Sequence, residues 1–393
     1  MLTKLTIQGF KSLQNVENLE LGIVNVFIGA NGSGKSNLLE AVGLLSAATS
    51  NQLDDQSLLR RGVRPNTLAL YQSSLRGMQP VKSINIHTWW RSLGNDTTEY
   101  QVEFDSTTSA RWQNWSYRQK FKHNNEEGSI IRDVDQEGPR SIIKNPDFLD
   151  EIVVDWQEIL SDYAIFSSNT LALRGTIPDI TQRQPIGLAG GKLAEAVGDL
   201  LNAQQGTFGT LTLDEVFELL DWVDEIAIVP PSRELVSASV PTLRNIIRFT
   251  DRWMGENHNQ LSAYDASEGA LYVLFALVLA LHPQSPRLFA IDNFDQAMHP
   301  RLARATARVF CQQMLKANPT RQALLTTHNP LVLDGLDLRD DRIRLFAVER
   351  NSYGATQVYR VQVSDEVLQA TQDGLTLSNL WVMGRLGGVP DLF

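Results

Sequence analysis

Eight consecutive residues, Gly29-Ala30-Asn31-Gly32-Ser33-Gly34-Lys35-Ser36, meet the pattern G-x-x-x-x-G-K-[ST] at every required position. Three glycines let a backbone curl until its N–H groups, at the positive end of the helix that follows, point at a polyphosphate. Lys35 then reaches the terminal phosphates. The Ser36 hydroxyl sits on Mg2+, an oxygen-seeking ion that keeps several of its waters and is shared with the nucleotide. The flanks agree: an apolar run at 23–28 predicts a strand entering the loop, and Asn37-Leu38-Leu39-Glu40-Ala41-Val42 continues at helical spacing.

A second group of residues lies far along the chain. Arg287-Leu288-Phe289-Ala290-Ile291-Asp292 reads as an apolar strand ending in an acid, and in phosphate-loop proteins such an Asp holds Mg2+ through its water shell. A helical stretch at 301–317 and a further apolar strand, Ala323-Leu324-Leu325-Thr326-Thr327, follow, ending at His328-Asn329-Pro330. Strand, helix and strand of this length form a parallel crossover unit, which brings Asp292 and His328 to the carboxyl ends of neighbouring strands, the edge where ligands bind. His328 there donates to a γ-phosphate or orients a water. Upstream, Tyr264-Asp265-Ala266-Ser267-Glu268-Gly269-Ala270 opens an apolar helix, and a Ser and a Gly at a helix start offer a hydroxyl and N–H groups to an anion.

The elements that position these groups belong to a chain of 393 residues, 42% hydrophobic and 20% charged, long enough for a large core and more than one lobe. A single cysteine, Cys311, excludes a disulfide framework and a thiolate zinc cluster, and suggests a reducing compartment, the cytoplasm by default. The N-terminus alternates like a strand and lacks the features of a secretory signal. The longest apolar stretch, 270–281, falls short of the ~20 residues that span a bilayer. A formal net charge of −10 argues against a surface that coats nucleic acid broadly, leaving local basic clusters as the sites of any such contact. Arg60, Arg61 and Arg64 form one; Arg118, Lys120, Lys122 and His123 beside Trp112 and Trp115 form another.

Between the two groups of site residues, 81–122 alternates as an antiparallel lobe, and 145–223 returns to helical spacing through Phe148, Ile152, Trp156, Ile159 and Leu160. Gly187-Leu188-Ala189-Gly190-Gly191 carries no Lys-Ser or Lys-Thr pair after it and reads as a hinge or tight helix start. Ile226-Ala227-Ile228-Val229 reads as a buried strand, and 243–264 as two strands around the turn Gly255-Glu256-Asn257-His258.

Phe10-Lys11-Ser12, the loop with Asn37, Ala266-Ser267-Glu268-Gly269, Ile291-Asp292 with Met298-His299-Pro300, and Thr327-His328-Asn329-Pro330 resemble the motifs of ABC-type ATPases of the chromosome-maintenance and RecF-like branch. These include the ATPase part of overcoming-lysogenization-defect and related phage-defence proteins. The resemblance covers 1–50 and 226–363. It implies an α/β P-loop NTPase fold with an ABC-type head, a mixed sheet flanked by helices plus an antiparallel β lobe, and a mostly helical insertion. The head is then formed by 1–80 and 226–363, the inserted lobes by 81–225, and a tail by 364–393. It further implies ATP and Mg2+ as ligands, and a homodimer or higher oligomer in which each nucleotide is held by the loop of one subunit and by Ser267 and Gly269 of another. The nucleotide-binding set becomes Lys11, Gly29, Asn31, Gly32, Ser33, Gly34, Lys35, Ser36 and Asn37 with the trans pair, and the metal set Ser36 and Asp292. Gln72 is a candidate for the glutamine that links the nucleotide to the inserted lobe.

Relatives place a glutamate directly after the Mg2+ aspartate; this chain has Asn293. An amide takes up no proton at neutral pH, so general-base help, worth about 10²–10⁴-fold, is lost and slow hydrolysis is expected. Asp295 or His328 are the candidates to orient water instead. After a hairpin over 343–361 the chain ends without the nuclease domain of overcoming-lysogenization-defect proteins, so the expected effector is a separate chain. The resulting reading is an ATP-driven dimerising switch in bacterial defence; the alternatives are a RecF-like DNA-binding repair ATPase and a scaffold that binds ATP without hydrolysing it.

Overall fold

The structure, a computed structural model, describes residues 1–50, 53–79, 81–92, 96–105, 116–123, 126–135, 138–144, 155–242, 245–362 and 375–388. Trp112, Trp115, Phe148 and Ile152 lie outside the described residues.

Val24–Ile28, buried at all five positions, is the strand that enters the loop. A strand covered on both faces reads as a continuous apolar run, which is why its type is legible without alternation. It occupies the middle of a six-stranded sheet whose order is Thr356–Val361, Ile343–Arg350, Val24–Ile28, Gln322–Thr327, Leu288–Ile291 and Ala164–Phe166. Five of these strands run parallel, and Thr356–Val361 returns antiparallel as a hairpin edge. The crossover from Leu288–Ile291 to Gln322–Thr327 passes through helix Pro300–Lys316. Pro300 stands at its first position, where the missing N–H costs nothing, and the His299 ring accepts from the Arg301 N–H.

Side chains alternate between two cores. Phe27, Leu288, Ala290, Leu324 and Phe346 face the loop helix Lys35–Thr49, whereas Val24, Val26, Phe289, Ile291 and Leu325 face the opposite layer. The loop helix is sandwiched between this sheet and a second, seven-stranded one, so Leu38, Leu39, Val42 and Leu45 share a core with Ile7, Ile86 and Tyr100. In that second sheet, Leu2–Phe10 pairs on one side with Leu13–Glu20 and on the other with Ser83–Arg91. The division expected at 80/81 therefore runs between hydrogen-bonded strands. Ala164–Phe166, from the middle of the segment expected as an insertion, is likewise an edge strand of the central sheet.

The opposite layer is led by helix Glu268–Leu281, in which every residue from Gly269 to Ala280 is buried. A helix apolar all round belongs inside a core, and this one packs with Phe275 against Phe166 and beside helix Pro300–Lys316. Helix Leu193–Ala203 and a three-stranded antiparallel sheet, Val223–Val229, Ile246–Asp251 and Gln260–Ser262, close this side.

Candidate functional site

Strand Val24–Ile28 ends at Gly29, and the chain turns back on itself before helix Lys35–Thr49 begins. The close fit explains the glycines at the two ends of the loop. A Cβ on Gly29 would collide with the carbonyl oxygen of Val348, and one on Gly34, whose φ is +111°, with the hydroxyl of Thr356. The back of the loop is pinned from outside: Thr356 Oγ1 donates to Ser33 O at 2.7 Å and lies 2.7 Å from Ser12 Oγ, which accepts from Asn37 Nδ2 at 2.8 Å. Arg350 Nε donates to Gly32 O at 2.7 Å. The front remains open. Asn31 and Gly32 are exposed, the helix start has no side-chain cap, and Ser33 Oγ is buried without a hydrogen-bond partner. Unpaired donors gathered at a helix N-terminus suit an anion.

The chemistry-bearing side chains converge behind this opening. Lys35 Nζ donates to Gly29 O at 2.8 Å and Ala30 O at 2.9 Å and lies 3.4 Å from His328 Nδ1. Burial pushes its ammonium down to about 8, opposed by the negative charges of Asp292 and Asp295. Ser36 Oγ donates to Asp292 at 3.1 and 2.9 Å. Thr326 Oγ1 donates to the same carboxylate at 2.5 Å and accepts from the Asn293 N–H at 2.8 Å, so a neighbouring strand fixes both residues. Burial and the Lys35 charge push the His328 imidazole below its usual range, keeping it neutral at physiological pH. Asp295 Oδ1 accepts from the His328 backbone N–H at 3.3 Å, and Asn329 caps the turn that follows by accepting from Leu331 N.

Asn293 adopts φ +60°. Asn tolerates this left-handed conformation far better than Glu, which gives the residue a backbone reason for its place as well as a chemical consequence. Ser36 and Asp292 supply the oxygen donors a hard cation prefers. Among the described residues no cluster of three or more His, Cys, Asp or Glu could hold a metal.

Ser267 stands apart from this group. It is the exposed N-cap of helix Glu268–Leu281 and makes no side-chain capping bond. Gly269 is buried against the turn that follows Asp292; a Cβ there would lie 3.2 Å from Leu302 Cδ2 and 3.4 Å from Ala297 O. The helix start therefore sits on the same edge of the sheet as the loop, on the far side of Asp292.

Several expected contacts go elsewhere. Lys11 is held by Glu40 and lies over the Phe10 and Tyr71 rings, so its ammonium is not part of the loop's hydrogen-bond network. Asn37 supports Ser12 rather than the open front. Gln72 donates to Lys82 O at 3.3 Å and bridges to Phe10, beside the antiparallel sheet; the strand next to Asp292 ends at Phe166 and is followed by Ser167 and Ser168. Arg61 is buried, with its guanidinium spent on Ser46, Ser50, Ser57 and Ser161, and Arg64 pairs with Glu40. Of that basic cluster only Arg60 remains an exposed, uncommitted cation. On strand Ser116–His123, Arg118 and Lys122 stand opposite Glu103 and Glu99, which breaks up the second basic stripe. In the glycine-rich stretch Asp179 Oδ2 accepts from Ala189 N at 2.8 Å and Gly191 N at 3.3 Å, so an internal carboxylate occupies the N–H groups. Sequence reading missed Thr326, Thr356 and Arg350 as site-building residues. Of these only Thr326, a hydroxyl just before His328 in a buried strand, carries a local signal.

Residues 4–184 match a family described as "AAA domain", and 230–334 one described as "AAA domain, putative AbiEii toxin, Type IV TA system". Proteins named DNA replication and repair protein RecF share segments of the chain. That of Renibacterium salmoninarum is 43% identical over 81 residues, 20% of this chain and 19% of its own. That of Clavibacter michiganensis subsp. michiganensis is 33% identical over 95 residues, 24% of each. The chain thus spans about a fifth to a quarter of the length of these curated relatives. The Smc head domain from Pyrococcus furiosus, solved bound to the C-terminal domain of ScpA, superimposes over 95% of this chain and 98% of its own with a TM-score of 0.52 and 11% identity. The fold is that of an ABC-type P-loop head like that Smc head domain. Among the described residues no helix is long and apolar enough to cross a membrane.

Proposed function

We propose that the protein is an ATP-binding, slowly hydrolysing switch that closes as a dimer around two nucleotides and so controls a separate effector. The observation that carries this reading is the meeting of Lys35, Ser36, Asp292 and His328 at the ends of three adjacent parallel strands, beside a loop whose buried Ser33 hydroxyl has no hydrogen-bond partner.

Lys35, released from the Gly29 and Ala30 carbonyls, swings to the terminal phosphates. Ser36 and Asp292 would hold Mg2+, which when bound would supply charge stabilisation to the phosphate oxygens. His328, neutral, directs one ring nitrogen at the γ-phosphate or at a water and is kept in place by Asp295. Asn293 positions water without removing its proton, which makes turnover slow. Ser267 and Gly269 of the partner copy complete the site from the opposite side, so ATP favours the closed dimer by its differential affinity for that state.

The match of 230–334 to a family described by a putative AbiEii toxin supports a defence role, with a nuclease as one class of effector. A second reading, a DNA-binding repair ATPase, is favoured by the segments shared with proteins named RecF. The burial of Arg61 and the pairing of the exposed Arg64 with Glu40 count against the footprint on which that reading first rested. The test is nucleotide binding by calorimetry with and without Mg2+, paired with sedimentation: binding that strengthens with Mg2+ and converts monomer to dimer supports the switch, and binding with no change in mass at any concentration overturns it. A sequence-independent, steeply salt-dependent DNA affinity transfers support to the repair reading.

A further inference from the structure

We propose that Arg350 of one copy and Glu268 of the other form a reciprocal ion pair that closes the nucleotide-bound dimer; this rests on the two-fold reading above. Each residue is poised for it, and neither is satisfied within its own chain.

Arg350 ends strand Ile343–Arg350, next to the loop strand, and its guanidinium reaches over the loop to Gly32 O. It is exposed, and this bond uses only Nε, leaving the terminal nitrogens free to donate. Glu268 directly follows Ser267 in the first turn of its helix and is exposed. Among the described residues neither side chain has an ion-pair partner within its own chain. The neighbouring groups are engaged: Asp265 accepts from Ser262 Oγ at 2.8 Å, and Arg174 lies over the Tyr264 ring.

The two residues stand apart within one copy. The strand that ends in Arg350 is separated from Leu288–Ile291, on whose following turn the Ser267 helix start rests, by Val24–Ile28 and Gln322–Thr327. Three strand spacings amount to roughly 14 Å. A cation therefore marks one half of the carboxyl edge and an acid the other. A two-fold interface brings each half against the opposite half of the partner, so every contact occurs twice. If the loop faces the partner's Ser267, Arg350 at the loop tip faces the residue after it. With a formal net charge of −10 on each copy, association is opposed at long range, and local complementarity of this kind fixes orientation and offsets the repulsion.

The experiment is a charge-swap cycle read by sedimentation with a non-hydrolysable ATP analogue and Mg2+. Arg350→Glu and Glu268→Arg, each placing like charges together twice, weaken the dimer by about tenfold or more. The double variant, with the charges exchanged, recovers to within a few-fold of the unaltered protein. A role for Arg350 confined to holding Gly32 predicts no recovery, and that result overturns the pair. Neutral single reversals in a protein that does dimerise overturn the pair while leaving the switch intact. An unaltered protein that stays monomeric with the analogue overturns the switch and the pair together.

Discussion

Ser36 Oγ lies 2.9 and 3.1 Å from the two carboxylate oxygens of Asp292, although 256 residues separate the two in sequence. The central sheet makes this possible, because the strands that end at Gly29 and Asp292 are both neighbours of Gln322–Thr327 and run parallel to it. Asp292→Asn keeps the shape and removes the charge. Mg2+-dependent strengthening of ATP binding should vanish, while the thermal midpoint moves by no more than a few degrees, since the lost interactions are worth about 1 kcal/mol each. Calorimetric titration with and without Mg2+ checks it.

Lys35 gives a pH signature. Its ammonium loses its proton near 8 in the free protein, and bound polyphosphate favours the charged form, so the value in the complex is higher. Below pH 8 the proton is already present and affinity is flat. Above it, each binding event takes up a proton, and the ATP dissociation constant should rise about tenfold per pH unit until the value of the complex is reached. His328, pushed down rather than up, stays neutral over this range. A dissociation constant constant from pH 7 to 10 would contradict the role given to Lys35.

Asn293 separates chemistry from backbone. Replacing it with Glu restores a group able to accept a proton and should raise single-turnover hydrolysis by about 10²-fold or more. The left-handed φ of +60° disfavours Glu, so stability should fall by about 1 kcal/mol. Asn293→Gly, free of that strain, should fold as well as the parent without gaining activity. Equal turnover in the parent and the Glu variant would show that Asp295 or His328 already supplies the missing base.

Arg61 distinguishes a structural cation from a nucleic-acid contact. It donates to Ser46 Oγ at 2.7 Å and Ser57 Oγ at 2.6 Å and reaches the Ser161 carbonyl at 3.2 Å, tying the loop helix to the segment ahead of Ala164–Phe166. Arg61→Met leaves several buried acceptors unpaired and should cost roughly 2–4 kcal/mol in denaturant unfolding. The salt dependence of any DNA binding should not change. A reduced salt slope with unaltered stability would return Arg61 to the surface role its neighbours in sequence suggest.

The loop, the aspartate strand and the histidine strand were legible because both their sequence patterns are forced by burial: Val24–Ile28 and Gln322–Thr327 are covered on both faces, and glycines stand where a side chain has no room. The hairpin over 343–361 was legible from its turn residues. What escaped was long-range pairing. Nothing local announces that Ser83–Arg91 pairs with Leu2–Phe10, or that Ala164–Phe166 lies beside Leu288–Ile291, so residues 81–225 read as inserted lobes. Arg61 was misread for a related reason. A charge run looks solvated until its acceptors, here serine hydroxyls, arrive from other elements. Thr356 and Arg350 act on the loop from the far end of the chain and carry no mark of it in sequence.

The most direct test mixes two disabled copies. Lys35→Ala removes the grip on the terminal phosphates, and Ser267→Arg blocks the face offered to a partner's nucleotide; each alone should show no ATP turnover above background. Mixed in equal amounts, the pair forms a heterodimer with one intact site, built from the loop of one copy and the Ser267 of the other, and turnover should appear. Turnover that stays at the sum of the two separate variants at every protein concentration would mean that Ser267 does not serve a neighbour's nucleotide, and the account would fail.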